Sequence, residues 1–292
     1  MTGLIIGAVI ISFAAVFVRL AGVGPDASAF YRLVIGGLGL VILLWRQGEI
    51  SRLRSNIWLW SLGIAACFAA DLFCWHRSIL FVGPGMATML TNFQVIVLSA
   101  VSVLLLGEKV RPTFLASMAL ALIGLYLMVG AGWAQFTETY RTGVLFGLAS
   151  ATAYSFYLLS LQYTVTRTRH HNPIAVAASM ALCAGMLAGV NMLIHGESFV
   201  IPDGKALASI LALALGCHTV GWFLITRGMQ HVSTSLVGLI LLLQPTLSYI
   251  WDVLFFGKTV SVTEGIGAML ALVGIYLGSC RSKSKRNKAQ TT

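Results

Sequence analysis

Long apolar runs separated by short polar gaps make up most of this chain. A helix that crosses the hydrocarbon of a bilayer needs about 20 residues, with roughly 17 to 25 as the usual range. By that measure the runs fall at residues 3–20, 29–45, 57–75, 84–106 and 112–130, then at 143–163, 173–194, 206–225, 235–256 and 262–280. The pattern predicts an all-α integral membrane protein of ten transmembrane helices. Pro25, Pro84, Pro112, Pro173 and Pro202 stand at or just before predicted starts, where a missing N–H is tolerated. Pro245 alone sits deep inside a span, where it frees the carbonyl of Leu241 and predicts a helix kink.

Residues 77–127 recur without a gap at 227–277. Arg77 matches Arg227, Gln94 matches Gln244, Gly107 matches Gly257, Gly124 matches Gly274 and Tyr126 matches Tyr276. Apolar helices resemble one another by composition, so these polar and glycine matches in one frame carry the inference. The division expected is a first five-helix repeat over 1–132, a second over 133–280 and a basic cytoplasmic tail over 281–292. A second copy that begins after five crossings starts on the opposite side of the membrane. Two inverted five-helix repeats around a central cavity are therefore expected, an arrangement most often found in transporters.

Composition narrows the class further. With 58% hydrophobic and 10% charged residues, the chain has too little polar surface for a soluble domain, and its partner is a lipid bilayer. The formal charge of +10 reads as orientation in the membrane rather than nucleic-acid binding. With the N-terminus inside, the inner segments hold Arg46, Arg52, Arg54, Lys109, Arg111, Arg167, Arg169, Arg227, Arg281, Lys283, Lys285, Arg286 and Lys288. The outer ones hold Arg19, Arg77, Arg141, Lys205 and Lys258. This bias predicts that both termini are cytoplasmic. The first run lacks a basic leader and a cleavage site, so it is expected to remain as a span. The five cysteines form no CxxC pair and are expected to be reduced core residues. No metal-ligand spacing and no P-loop occur, so no metal, cofactor or ATP-driven step is expected.

Ionisable groups inside spans are expensive unless they face protein or a water-filled cavity. Arg32 either snorkels to the outer interface or lines the mouth of the pathway as a gate. Asp71 shares a helical face with Cys67, Cys74, Trp75 and Ser78. It either lines a cavity or makes a structural bond, through an ion pair with Arg32 or a cap on a neighbouring helix. Thr88, Thr91, Asn92 and Ser99 form a polar stripe, suited either to a zwitterion or to helix packing. Gln244, Ser248 and Asp252 recur at intervals of four beyond the proline, with Asp252 nearer the outer end. Tyr154 and Tyr157, with His218 and Trp222, outline an aromatic chamber, or simply fill a core. Asp71, His218 and Asp252 are the proton-coupling candidates, His218 because an imidazole titrates near neutral pH. The proposed substrate contacts are Asp71, Trp75, Asn92, Tyr154, Tyr157, His218, Trp222 and Gln244.

The fourth span carries Ala87-Thr88-Met89-Leu90-Thr91-Asn92, then Gly107-Glu108-Lys109 and Arg111-Pro112; the fifth ends Gly124-Leu125-Tyr126-Leu127. The second half has Leu241-Leu242-Leu243-Gln244-Pro245 and Gly274-Ile275-Tyr276-Leu277. With five spans per half, the chain resembles the drug/metabolite transporter superfamily, and within it the EamA-type transporters. It departs where Gly257-Lys258-Thr259 replaces the acidic-basic pair of the turn. The resemblance implies a secondary transporter of the bacterial inner membrane that exports an amino acid or another small zwitterionic or amphiphilic metabolite. A monomer is expected, with a dimer left open. The alternative is an integral-membrane enzyme using Asp71, His218 and Asp252 on a lipid or prenyl substrate. The scatter of those residues over different depths, and the repeat, weigh against it.

Overall fold

The computed structural model describes residues 1–53, 55–94, 96–98, 100–101, 112–130, 132–167, 172–229 and 240–282. Regular structure among them is entirely helical, as lipid requires of a chain whose backbone polar groups must be satisfied from within. The helices are α1 (Thr2–Ser12), α2 (Ala14–Ala21), α3 (Pro25–Arg46), α4 (Ser55–Val82), α5 (Pro84–Thr91) and α6 (Pro112–Leu125). The second half adds α7 (Glu138–Arg167), α8 (Pro173–Ile194), α9 (Gly204–Leu211), α10 (Trp222–Met229), α11 (Leu243–Phe256) and α12 (Val262–Ser282). A π-helical stretch, Ala212–Gly221, joins α9 to α10.

Seven helical segments of the described chain are long and apolar enough to cross a membrane. They are Thr2–Ala21, Pro25–Arg46, Ile57–Val82, Leu115–Gln135, Glu138–Leu161, Ile174–Ile194 and Gly204–Ile225. Pro84–Leu98 and Val262–Leu277 are apolar but shorter. Much of the C-terminal part of the predicted fourth span, Ser99 included, and the N-terminal part of the predicted ninth lie outside the described residues. Several helices extend beyond the bounds expected, and contacts account for two of these extensions. The second span starts at Pro25, where Glu197 Oε2 accepts from the Asp26 and Ala27 amides at 3.0 and 2.9 Å and so satisfies donors that a helix start leaves open. The third runs on to Val82 because Arg77, expected in an outer gap, is held to Asp26 by two hydrogen bonds of 2.8 and 2.7 Å.

Three pairs of spans equivalent under the 150-residue offset, the second with the seventh, the fourth with the ninth and the fifth with the tenth, pack on one another antiparallel. On α6 and α12 the contacts are reciprocal: a Cβ at Gly124 would lie 2.4 Å from the Ala271 amide, and one at Gly274 would lie 2.5 Å from the Ala121 amide. Only glycine permits that backbone approach, and small residues of this kind drive association where lipid offers no hydrophobic effect between helices. On α3 and α8, Gly37 meets Leu182 while Gly185 meets Val34. On α5 and α11, Ser248 donates to the Pro84 carbonyl at 3.2 Å and Asp252 accepts from the Gly85 amide at 3.1 Å. The remaining large contacts also correspond: α4 packs on α7, and α1 packs on the π stretch and α10.

The ion pairs among the described residues gather at one end of the bundle. Asp26 at the start of α3 pairs with Arg77 at the end of α4 and lies 3.4 Å from His195 after α8. Asp252 near the end of α11 lies 3.4 Å from Arg19 near the end of α2, and Lys258 pairs with Glu264 at 2.7 Å. Asp252 thus ties the second half to the start of α5, where a carboxylate is favoured by the helix dipole. Gly83, at φ +88°, leaves that carboxylate room.

The Gly274→Leu substitution is expected to force α6 and α12 apart, lowering stability by about 1–3 kcal/mol, read as a fall in thermal unfolding midpoint in detergent. Asp252→Ala leaves the Gly85 N–H buried without its acceptor, an expected loss of about 1–3 kcal/mol in the same measurement. Asp252→Asn retains an acceptor and is expected to lose less.

Candidate functional site

The titratable groups deepest in the fold meet where α3, α4, α7 and the π stretch converge. Arg32, two turns into α3, is 6% exposed and so does not snorkel. Its guanidinium carbon lies 5.3 Å from the centre of the Trp75 ring, a cation–π distance. Asp71, one turn before Trp75 on α4, is 4% exposed and accepts a 2.6 Å hydrogen bond from Ser150 on α7. Ser150 is within 2.9 Å of the Thr91 hydroxyl, which links α4, α5 and α7. The ion pair between Arg32 and Asp71, one of the alternatives for Asp71, is not formed within 4.0 Å.

Aromatic rings enclose this centre. Tyr154 and Tyr157 lie 5.3 Å apart, Phe68 lies 4.8 Å from Tyr157, and the His218 ring lies 6.4 Å from Phe68. His218 enters beside α3 because Gly36, one turn beyond Arg32, has no side chain: a Cβ there would fall 2.6 Å from the imidazole. The π stretch is anchored on either side of His218. Cys217 donates to the Ile10 carbonyl at 3.1 Å, and Thr219 donates to the Gly36 carbonyl at 3.0 Å. Widened helical turns of this type recur at functional sites. They also change the face geometry on which a spacing of four was read. Trp222 is half-buried at the start of α10, and no ring contact joins it to Tyr154, Tyr157 or His218.

The other expected site residues lie elsewhere. Asn92 ends α5 and donates from its amide to the Thr88 carbonyl at 2.7 Å, so that donor is occupied by its own helix. Gln244 is half-buried in the first turn of α11. Ser248 and Asp252, on its face, are engaged with α5 rather than solvated. The helix is interrupted at Leu242, three residues before Pro245, and α5 is interrupted at the equivalent Asn92. The two residues have nearly the same backbone, φ −66° ψ −12° and φ −67° ψ −13°. Position 95, which matches Pro245, is valine, so proline is not needed for such a break.

Three participants carried no clear signal in the sequence. His76 stood next to Arg77 in an apparent outer gap, yet it is fully buried and its ring lies 5.3 Å from that of Trp75. Ser150 and Phe68 are common residues of apolar helices. A reading that carried α4 one turn further would have found His76. Among the described residues, no group of His, Cys, Asp and Glu is arranged to hold a metal ion. The described cysteines Cys67, Cys74, Cys183 and Cys217 are free thiols.

The EamA-like transporter family matches residues 1–130 and again 141–280. An uncharacterized transporter of Archaeoglobus fulgidus is 24% identical over 278 residues, covering 94% of each chain. The aromatic amino acid exporter YddG of Ancylobacter novellus is 25% identical over 215 residues, covering 73% of this chain and 72% of its own. The uncharacterized transporter YwfM of Bacillus subtilis is 21% identical over 265 residues, covering 90% and 86%. A crystal structure 22% identical in sequence superposes with a TM-score of 0.67 over 96% of this chain and 99% of its own, which shows the fold. These matches set aside the membrane-enzyme alternative. A helical multi-pass protein whose two halves each match the same family belongs to the EamA-like transporter family, and is a membrane transporter.

Proposed function

We propose that this chain exports a small zwitterionic or amphiphilic metabolite, with amino acids as the leading class, across the cytoplasmic membrane by alternating access. The observation that carries this reading is the burial of Arg32, Asp71 and His218 among aromatic rings where helices of both halves meet. Such groups are costly in lipid and are retained where a solute or proton passes. The exporter named among the relatives handles aromatic amino acids, and the rings of Phe68, Trp75, Tyr154 and Tyr157 suit an apolar side chain of that kind.

The scaffold proposed is ten helices in two inverted five-helix repeats, 1–132 and 133–280, with both termini cytoplasmic. The antiparallel, reciprocal packing of offset-equivalent helices supports the inversion. Paired breaks at Asn92 and Leu242 support it as well, since interrupted helices at equivalent depth are a feature of transporter sites. The ion-paired end then faces outward. Its ties between the halves, Asp252 with Arg19 and Glu197 with the start of α3, must part in each cycle. Asp71 or His218 carries the proton if export is coupled to one. Asp252, already engaged with Gly85 and Arg19, serves the closed end.

Purified protein in sealed vesicles is expected to exchange labelled L-tryptophan or L-leucine saturably and without chemical change. Chemical modification of the solute without net movement would overturn the transport reading. If export is proton-coupled, Asp71→Asn or His218→Ala is expected to flatten the pH dependence of that exchange while the variant still elutes as folded protein. A profile unchanged in both variants would remove the two residues from any proton path.

A further inference from the structure

Arg32 contrasts with Arg77, which stands near the end of α4. Arg77 holds the Asp26 carboxylate with two nitrogens at 2.8 and 2.7 Å. Arg32 is buried, yet its Nε and Nη1 have no hydrogen-bond partner among the described residues. Asp71 is near enough to interact with it electrostatically but turns to the Ser150 hydroxyl instead. A buried cation with unpaired donors is destabilising unless an anion or acceptor completes it.

A second, independent group is incomplete at the same place. His76 Nδ1 faces the Pro25 carbonyl at 2.9 Å. A carbonyl only accepts, so Nδ1 bears the hydrogen, and in the neutral ring Nε2 is left as an acceptor. That Nε2 is buried without a partner among the described residues. The Trp75 ring neighbours both groups, 5.3 Å from the Arg32 guanidinium carbon and 5.3 Å from the His76 ring centre. Unpaired donors and an unpaired acceptor therefore both adjoin the one flat apolar ring of Trp75.

We infer that Arg32 binds the carboxylate of the transported solute, with the Trp75 indole beside it and His76 Nε2 accepting from the solute's amino group. This rests on the transport reading of the same site and narrows its substrate class to amino acids and related monocarboxylates. A single guanidinium matches one carboxylate better than a dianion such as a phosphate monoester.

The test compares L-tryptophan, L-tryptophanamide, tryptamine, indole-3-propionate and L-leucine. Each is scored by counterflow in vesicles and by thermal stabilisation of the detergent-purified protein. For the wild type, L-tryptophan is expected to exceed its amide and tryptamine at least tenfold in both readouts. Arg32→Gln is expected to erase that preference, and Arg32→Lys, which keeps the charge without the planar donor array, to retain part of it. Equal handling of L-tryptophan, its amide and tryptamine by the wild type overturns the inference, as does an undiminished preference in folded Arg32→Gln. Should Arg32→Gln fail to fold, the wild-type amide comparison and Arg32→Lys decide. If none of the carboxylates moves or stabilises the wild type, the inference fails. Saturable movement of an uncharged or amine solute would then leave the transport reading standing, whereas movement of no solute would remove both.

Discussion

Lipid cannot hydrogen-bond, and most of this architecture follows from that one constraint. Every backbone polar group must be satisfied within its own helix, so the described chain is helical where it is regular. Helices in lipid also gain little from hiding apolar surface, so they associate through close fit and internal hydrogen bonds. The bare contacts of Gly124 with Ala271 and of Gly274 with Ala121 supply the fit. Ser248 with Pro84, Thr219 with Gly36 and Ser150 with Asp71 supply the bonds.

Under this constraint, charged groups separate into two populations. Those near helix ends find partners: Asp26 with Arg77, Asp252 with Arg19 and the Gly85 amide, Lys258 with Glu264. Those in the interior are only partly satisfied. Asp71 has a hydroxyl, while Arg32, His76 and His218 each keep at least one buried nitrogen without a partner among the described residues. Asp26, Asp252 and Glu264 each have a cationic partner at the ion-paired end, whereas Asp71 inside has none within 4.0 Å among the described residues.

The first half of the chain reads differently from the second at equivalent positions. Asn92 and Leu242 interrupt their helices with the same backbone geometry, yet only the second half has a proline nearby. The break therefore does not require a proline, and Pro245 accommodates it in one copy. In the same way, the sites of Asp71 and Trp75 have no charged or aromatic mate at the offset, since Gly221 and Ile225 stand there. The backbone pairing is symmetric, whereas the groups inside it are not.

What could be read from the linear chain was whatever depends on spacing along it. Apolar run length located the helices, the 150-residue offset matched Gly124 to Gly274, and a helical stripe brought Asp71 and Trp75 to one face. Partnership between distant residues could not be read in this way. That Asp71 turns to Ser150 and not to Arg32, that Asp252 caps α5, and that His76 is buried beside Trp75 are all outcomes of helix packing. The π stretch at Ala212–Gly221 left no trace in composition, because the same small and apolar residues would build an ordinary turn. A hydrogen bond or a buried charge is decided by which helix lies opposite, and that is settled only when all the helices pack together.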